Sequence, residues 1–409
     1  MEEIPSTQSL KKSAHPFVFF VFYLPFGVFT GYLTVTLSFL FSRSGVSFKQ
    51  IAGLAAINLL PQIFKFIWAP LVDTTFTVKK WYLIPTLITA ASIFATSIIP
   101  IKSANLLLFT GMILLCSFAR TFIGAAINSL AAHGTADAIK GRVGGYSQAG
   151  NLGGGAVGGG AGLWLAQHTK PIWLPGSTLA LICMLCCAGL FFINEPIIAL
   201  RAKSAFKTLK NVIADVWLNL KTNRGLLALI LNLLPLGTGA AGFLFAAMAK
   251  DWGAGADTVA LVTGGIGGLA IIVGCLIGGW ICDRLNRQKT FVWFSLLQAA
   301  CCVAMAFCPH TPLMYITWTL AYQLVNGFVN GAYAAFCLEA TGKGAAASKF
   351  EIYAASAYLP LLLMLRISGS AYTKWGALGM LNTEAVVAVL AAGIFMTAYL
   401  VLSRRRVGV

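Results

Sequence analysis

Long apolar stretches alternate along the chain with short polar breaks. Most of the stretches reach the roughly 20 residues that an α-helix needs to cross the hydrocarbon of a bilayer. The pattern predicts spans near 16–42, 48–73, 80–101, 104–132, 143–166 and 172–193, then near 225–249, 256–282, 289–308, 312–338, 347–371 and 378–402. Twelve transmembrane helices are therefore expected, in an all-α membrane protein. The first run is too long, and too soon followed by others, for a cleaved signal peptide.

Composition agrees: of 409 residues, 58% are hydrophobic and 10% charged, too little polar surface to keep a chain of this length dispersed in water. The net charge of +17 invites a nucleic-acid reading, but the position of the charges argues against it. With both termini cytoplasmic, the inner segments collect Lys11, Lys12, Lys79, Lys80, Lys140, Arg142, Arg201, Arg224, Arg284, Arg287, Lys289 and Arg404–Arg406. That is the positive-inside bias of a multi-pass protein. The partner it implies is a lipid bilayer, with a bacterial inner membrane as the expected location, and not DNA or RNA.

The cysteines lie in or beside apolar spans, as in "CMLCC" (183–187) and the Cys301–Cys302 pair, where they read as small apolar filler. His133, His168 and His310 lack metal-ligand spacing, and no H-E-x-x-H occurs. Neither a metal nor another cofactor is expected. An enzyme acting at membrane depth would want a nucleophile–base pair or a metal cluster, and none is legible.

"NLGGGAVGGGAG" (151–162) holds Gly153, Gly155 and Gly158 in G-x-G-x-x-G spacing. A dinucleotide fingerprint needs a strand before it and an acidic residue about 20 positions later. This run sits inside an apolar helix with neither. Its small residues recur four apart instead, Gly150–Gly154–Gly158–Gly162, the spacing that lets helices approach closely in lipid. The eighth span has a similar set, Gly264–Gly268 and Gly274–Gly278.

Residues 194–224 form the one long polar connection. Leu209, Ile213, Val216, Trp217 and Leu220 recur there at helical spacing between lysines, which suits an amphipathic helix on the membrane surface or a solvated linker helix. The segment divides the chain into 1–193, a linker 194–224 and 225–409. The two halves echo each other. "APLVDTTFTVKK" follows the second span and "GGWICDRLNRQKT" the eighth, with Asp73 and Asp283 separated by 210 residues. Lys140 and Lys349, after the fourth and tenth spans, are 209 apart. Such spacing is what a duplicated six-helix unit leaves.

"GGWICDRLNRQK" closely resembles the G-x-x-x-D-R-x-x-R-K/R loop signature of the major facilitator superfamily, filled by Gly279, Asp283, Arg284 and Arg287. More narrowly, "KFIWAPLVD" (65–73), "GAGLWLA" (160–166) and "AASKFEIYAASA" (346–357) resemble AmpG-type muropeptide permeases and their acetyl-CoA and siderophore-permease relatives. The resemblance implies two pseudo-symmetric six-helix bundles that rock around a central substrate. It also implies contact between the fifth and eighth spans across the halves, so the glycine stripes read as a sliding surface. In that fold Asp73 would face the start of the eleventh helix, near Ser348 and Lys349. Asp283 would face the start of the fifth, near Arg142. Each carboxylate would then meet the positive end of a helix from the other half and hold an inner gate shut.

Ionisable groups inside the bilayer cost about 2.5–3.5 kcal/mol or more, so each needs a reason. Lys65 lies eight residues before Asp73, about 12 Å into the membrane. Arg120 falls near the middle of the fourth span and Arg366 late in the eleventh. No carboxylate is expected at comparable depth, so three unpartnered cations point to an anionic substrate. Asn128, Asn151, Asn232, Gln323, Asn326, Asn330 and Tyr333 are candidate polar contacts, or partners of one another. Glu339 and Glu351, read as bordering the membrane, are candidates for proton coupling, although Glu351 could pair with Lys349. The reading is a secondary transporter, working as a monomer by proton-coupled import of a small-molecule anion such as a muropeptide or siderophore. The alternative is an exporter or facilitator of an acyl-CoA, organic acid or drug-like compound.

Overall fold

The computed structural model is all-helical and describes residues 14–102, 105–171, 173–196 and 205–404. Lys11, Lys12, Arg201, Arg405 and Arg406 of the basic set lie outside the described residues. The spans are α1 (Phe17–Arg43), α2 (48–74), α3 (Val78–Ile98), α4 (Leu106–Gly134), α5 (140–168) and α6 (Leu174–Phe192). After a linker helix (Ala205–Lys221) come α7 (223–252), α8 (256–282), α9 (Arg287–Phe307), α10 (Pro312–Thr341), α11 (346–375) and α12 (377–404). Together they form twelve transmembrane helices in two six-helix bundles.

Seven described helical stretches are long and apolar enough by themselves to cross a membrane, the last of them covering both α11 and α12. The rest are interrupted or diluted with polar residues. α2 stops at Phe64, tightens over Lys65–Ile67 and restarts at Pro70, whose ring removes a backbone donor. α7 breaks between Leu233 and Ala240, where Gly237 and Gly239 take φ of +60° and +71°, a region other residues seldom enter. Both breaks face the space between the bundles.

Within each half the tightest packing is backbone on backbone. A Cβ at Gly150, Gly154 or Gly158 would overlap the carbonyls of Phe20, Leu24 and Val28 of α1, and one at Gly31 would overlap that of Gly155. The α5 stripe therefore binds α1 inside its own half, which corrects the expectation of a sliding α5–α8 surface. Gly274 and Gly278 likewise face Leu324, Gly327 and Phe328 of α10, inside the second half. Contact between α5 and α8 uses other glycines, Gly141 and Gly145 against Cys275 and Gly279. Four-residue spacing signals that a backbone comes close. It carries no information about which one.

The linker helix is seated on α7, on the end of α2 and on the start of α11. Ile213, Trp217 and Leu218 remain exposed on its other side.

A side chain at Gly158 has no room to relax, because the obstacle is the α1 backbone. Gly158→Val is expected to cost at least about 2 kcal/mol. It should lower the melting temperature of the detergent-purified protein, whereas Gly160→Ala, which meets open space, should leave it unchanged.

Candidate functional site

A cavity of about 260 Å³ lies between the halves. The first half contributes Tyr23 and Phe26 of α1, Lys65 at the α2 break, Asn128 of α4, and Gln148 and Asn151 of α5. The second contributes Asn232 and the Leu234–Thr238 break of α7, Asn330 and Tyr333 of α10, and Glu351 and Tyr358 of α11. Amides, phenols and one ion pair make up its polar surface.

That ion pair corrects the charge reading. Lys65 Nζ lies 2.6 Å from Glu351 Oε2, with both side chains nearly sealed from solvent. Glu351 is no border residue paired with Lys349. It stands one turn into α11, at the depth of Lys65, and joins the halves. Its other oxygen accepts from Asn128 Nδ2 at 3.0 Å, and Asn128 Oδ1 accepts from the Tyr23 hydroxyl at 2.8 Å. A polar chain thus runs Tyr23–Asn128–Glu351–Lys65 from one half to the other and back.

Arg120 is buried at 2% exposure and does not line the cavity. Its guanidinium sits 4.2 Å from the ring centre of Phe26, which separates it from the cavity. Nη1 donates to Asn58 at 3.2 Å and Nη2 to Thr30 at 2.6 Å. Among the described residues no carboxylate reaches ion-pair distance of it. Of the expected cations, it alone is both buried and without a counter-charge. Arg366 is exposed and lies outside the cavity lining.

The candidate amides divide. Asn151 lines the cavity and donates to Gln148, and Asn232 lines it while donating to the Ala228 carbonyl. Asn330 lines it and donates to Asn326. Gln323 and Asn326 lie outside the lining. Asn326 accepts from Gln298 of α9, so the i, i+4 pair of α10 is partly spent inside its own bundle.

Glu384 of α12 was not anticipated. It contradicts the expectation that the membrane holds no deep carboxylate. It accepts from the Ser368 hydroxyl at 2.7 Å and borders a small second cavity.

At the end of the bundles that carries the α2–α3 and α8–α9 loops, two carboxylates cap helices of the opposite half. Asp73 accepts from the backbone N–H of Ala347 (3.2 Å) and of Ser348 (2.8 Å), and from the Ser348 hydroxyl (2.7 Å). Asp283 accepts from the N–H of Gly141 at 2.6 Å, and from the N–H and Nε of Arg142 at 3.2 and 2.8 Å. The arrangement suits the partial positive charge of a helix start. Arg287 reaches the Asp137 carbonyl, Asp283 at 3.8 Å and Glu339 at 3.5 Å. Glu339 is thereby held in a partly exposed pair, the opposite of the desolvated setting that proton coupling requires. Arg284 lies over the Trp280 ring, 3.4 Å from its centre, and is turned off this cluster. In the α4–α5 loop, the Lys140 ammonium 2.9 Å away holds the Asp137 carboxyl below its ordinary range through a hydrogen bond and its charge.

Lys349 meets neither Asp73 nor Glu351 at ion-pair distance. It pairs at 3.0 Å with Asp215 of the linker helix, which also accepts from the Ala345 N–H at 2.8 Å. The linker thereby fastens the α10–α11 turn. Asp215 stood among lysines in the sequence and gave no sign of that role.

The chain belongs to the Major Facilitator Superfamily, whose family model matches residues 17–364. It is a multi-pass membrane protein. No curated protein matches its sequence. Among solved structures, the fold is similar to a variant of the E. coli fucose:proton symporter FucP at 14% identity, with 94% of this chain and 97% of that one covered and a TM-score of 0.69. It is similar to the proton:xylose symporter XylE bound to 6-bromo-6-deoxy-D-glucose at 12% identity, with 93% and 94% covered and a TM-score of 0.70. It is also similar to the human organic anion transporter MFSD10 (TETRAN) at 13% identity, with 95% and 100% covered and a TM-score of 0.71.

Removing Asp73 would strand the buried N–H groups of Ala347 and Ser348, at about 1–3 kcal/mol for each buried group left unpaired. Hydrogen–deuterium exchange of Asp73→Ala is expected to quicken at least roughly tenfold at the start of α11, since about 1.4 kcal/mol is a factor of ten. Exchange at the start of α5, capped by Asp283, should change little.

Proposed function

We propose that this protein is a secondary transporter, working by alternating access as a monomer, that imports a small organic anion together with a proton. The observation that carries the reading is the Lys65–Glu351 pair, a buried ion pair that both spans the halves and lines the cavity. Such a pair holds two states. With Glu351 ionised, its carboxylate is the counter-ion of Lys65 and ties α11 to α2. A proton arriving on Glu351 removes that counter-charge, and the ammonium then favours an anionic group from the solute. Stripping one partner from a buried pair costs about 3–5 kcal/mol, so proton and solute have reason to bind together.

The surrounding amides and phenols suit a solute that also carries hydroxyl or carbonyl groups. Ligand pockets usually run to about 300–1,000 Å³. A cavity of about 260 Å³ therefore favours a sugar acid or short organic acid over a muropeptide, a siderophore or an acyl-CoA. The proteins of similar fold, a fucose:proton symporter, a proton:xylose symporter and an organic anion transporter, are in keeping with a small polar or anionic solute. The basic loops support a cytoplasmic side for the closed end and for both termini, and suit a bacterial inner membrane. In this conformation the caps of Asp73 and Asp283 hold the inner gate shut. Arg120 is a second cation that becomes available to an anion if Phe26 turns aside.

Proteoliposomes with acid outside should accumulate a labelled sugar acid or short organic acid, and a protonophore should abolish the accumulation. Glu351→Gln is expected to exchange solute across the membrane without a gradient but to concentrate it at least tenfold less. Gradient-driven accumulation that survives Glu351→Gln overturns the proton assignment. Solute affinity that survives Lys65→Met overturns the anion assignment.

A further inference from the structure

The second half holds a carboxylate that the Lys65–Glu351 pair does not use. Glu384 sits seven residues into α12, about 10 Å along the helix axis at 1.5 Å per residue. The groups facing it come from four helices. The Ser368 hydroxyl of α11 donates to it at 2.7 Å, and the helix start at Ala241 of α7 faces it electrostatically. Tyr322 of α10 and Cys301 and Cys302 of α9 complete its titratable surroundings. Among the described residues no lysine, arginine or histidine comes within ion-pair distance. Arg366, two residues before Ser368, is exposed.

Ala241 gives this placement its meaning. It is the second residue of the half-helix Ala240–Met248, which restarts α7 after the glycine break. Glu384 therefore supplies the negative charge at the positive end of that half-helix. The small cavity beside Glu384 includes Gly237 and Thr238, which also line the central cavity. The half-helix thus has the solute space on one side of its glycine break and a carboxylate without a cation on the other.

We propose that Glu384 is a proton-binding site that controls the docking of the outer half of α7. Docked, the ionised carboxylate is satisfied by Ser368 and by the helix end. If the half-helix withdraws, a carboxylate with no cation nearby would be left in an apolar setting, and it takes up a proton instead. Proton uptake and withdrawal of the half-helix are then one linked equilibrium. An alkali cation fits poorly, because the Ser368 hydroxyl presents its hydrogen to the carboxylate, and the adjacent cavity of about 10 Å³ has little room for a hydrated ion.

The test needs no transported solute. Infrared difference spectra of the purified full-length protein in lipid, recorded between acid and alkaline pH, report protonated carboxyl groups by their C=O stretch. Glu384→Gln should lose one such band that Glu351→Gln keeps. Ser368→Ala, which preserves the carboxylate but removes a donor to its ionised form, should move the midpoint of that band to higher pH. In parallel, the protection of Ala240–Met248 against hydrogen–deuterium exchange, corrected for the intrinsic pH dependence of exchange, should fall on acidification in the wild type and stay constant with pH in Glu384→Gln. A wild-type spectrum from Glu384→Gln, or an unmoved midpoint in Ser368→Ala, overturns the proposal. So does a band that sodium ions abolish at constant pH, since that outcome makes the site one for a metal cation. These results do not depend on Glu351 or on the solute, so failure here is separate from failure of the transport reading.

Discussion

A charge inside a bilayer must find a partner inside the protein, and the two halves of this molecule meet where that demand is strongest. Lys65 belongs to one half and Glu351 to the other, 2.6 Å apart and almost wholly buried. Neither could stay ionised at that depth alone at small cost. The pair is therefore a constraint on how the halves sit. It places the α2 break against α11 and brings Asn128 and Tyr23 into line behind it. It also makes the central cavity electrically balanced, where the residues taken singly suggested a cluster of cations. Any ligand charge that enters has to be set against this pair.

In the proposed mechanism this contact acts as a switch, and that role needs rigid halves. Glycine supplies the rigidity by allowing backbones to touch. α5 lies on α1 along Gly150, Gly154 and Gly158, and α8 lies on α10 along Gly274 and Gly278. Side chains at these positions would hold the helices apart and loosen each bundle. Between the bundles the contacts are of another kind. Asp73 and Asp283 each accept backbone donors at the start of a helix across the divide, related as the duplicated loops are related in sequence. In the proposed mechanism such hydrogen bonds to helix ends are exchanged for water when the halves rock, whereas the glycine contacts within a half cannot be opened without unpacking it. The linker helix adds a further tie, through Asp215 to Lys349 and Ala345, so the segment that joins the halves also grips the turn between α10 and α11.

The architecture was legible because it rests on local patterns. Span-length apolar runs mark the helices, and two loops 210 residues apart mark the duplication. That Asp73 and Asp283 end helices follows from those loops, whereas the helices they face follow from the resemblance to the superfamily fold. Partnerships over long sequence separations were not legible. Glu351 stands two residues from Lys349, and a local reading joins them. The fold instead sends Glu351 inward to Lys65 and Lys349 outward to Asp215, because successive positions on a helix differ by 100° or so. Arg366 and Arg120 make the same point. Both are arginines in apolar spans, yet one is exposed and the other is enclosed behind Phe26. Glu384 could have been noticed as an acidic residue in an apolar run, but its partners Ser368 and Ala241 lie on two other helices.

Two buried carboxylates in one half then differ in kind because their surroundings differ. Glu351 faces an ammonium and an amide from the opposite bundle, so its charge state bears on whether the bundles stay together. Glu384 faces a hydroxyl and a helix end within its own bundle, so its charge state bears on the shape of one wall. The α7 break is common to both settings: its glycines border the central cavity on one side and the Glu384 cavity on the other. In the proposed mechanism a proton on Glu351 acts across the divide, and a proton on Glu384 acts on the wall beside it. The chemistry is the same carboxyl group in both places, and what each can move is decided by whether its donors belong to the other half or to its own.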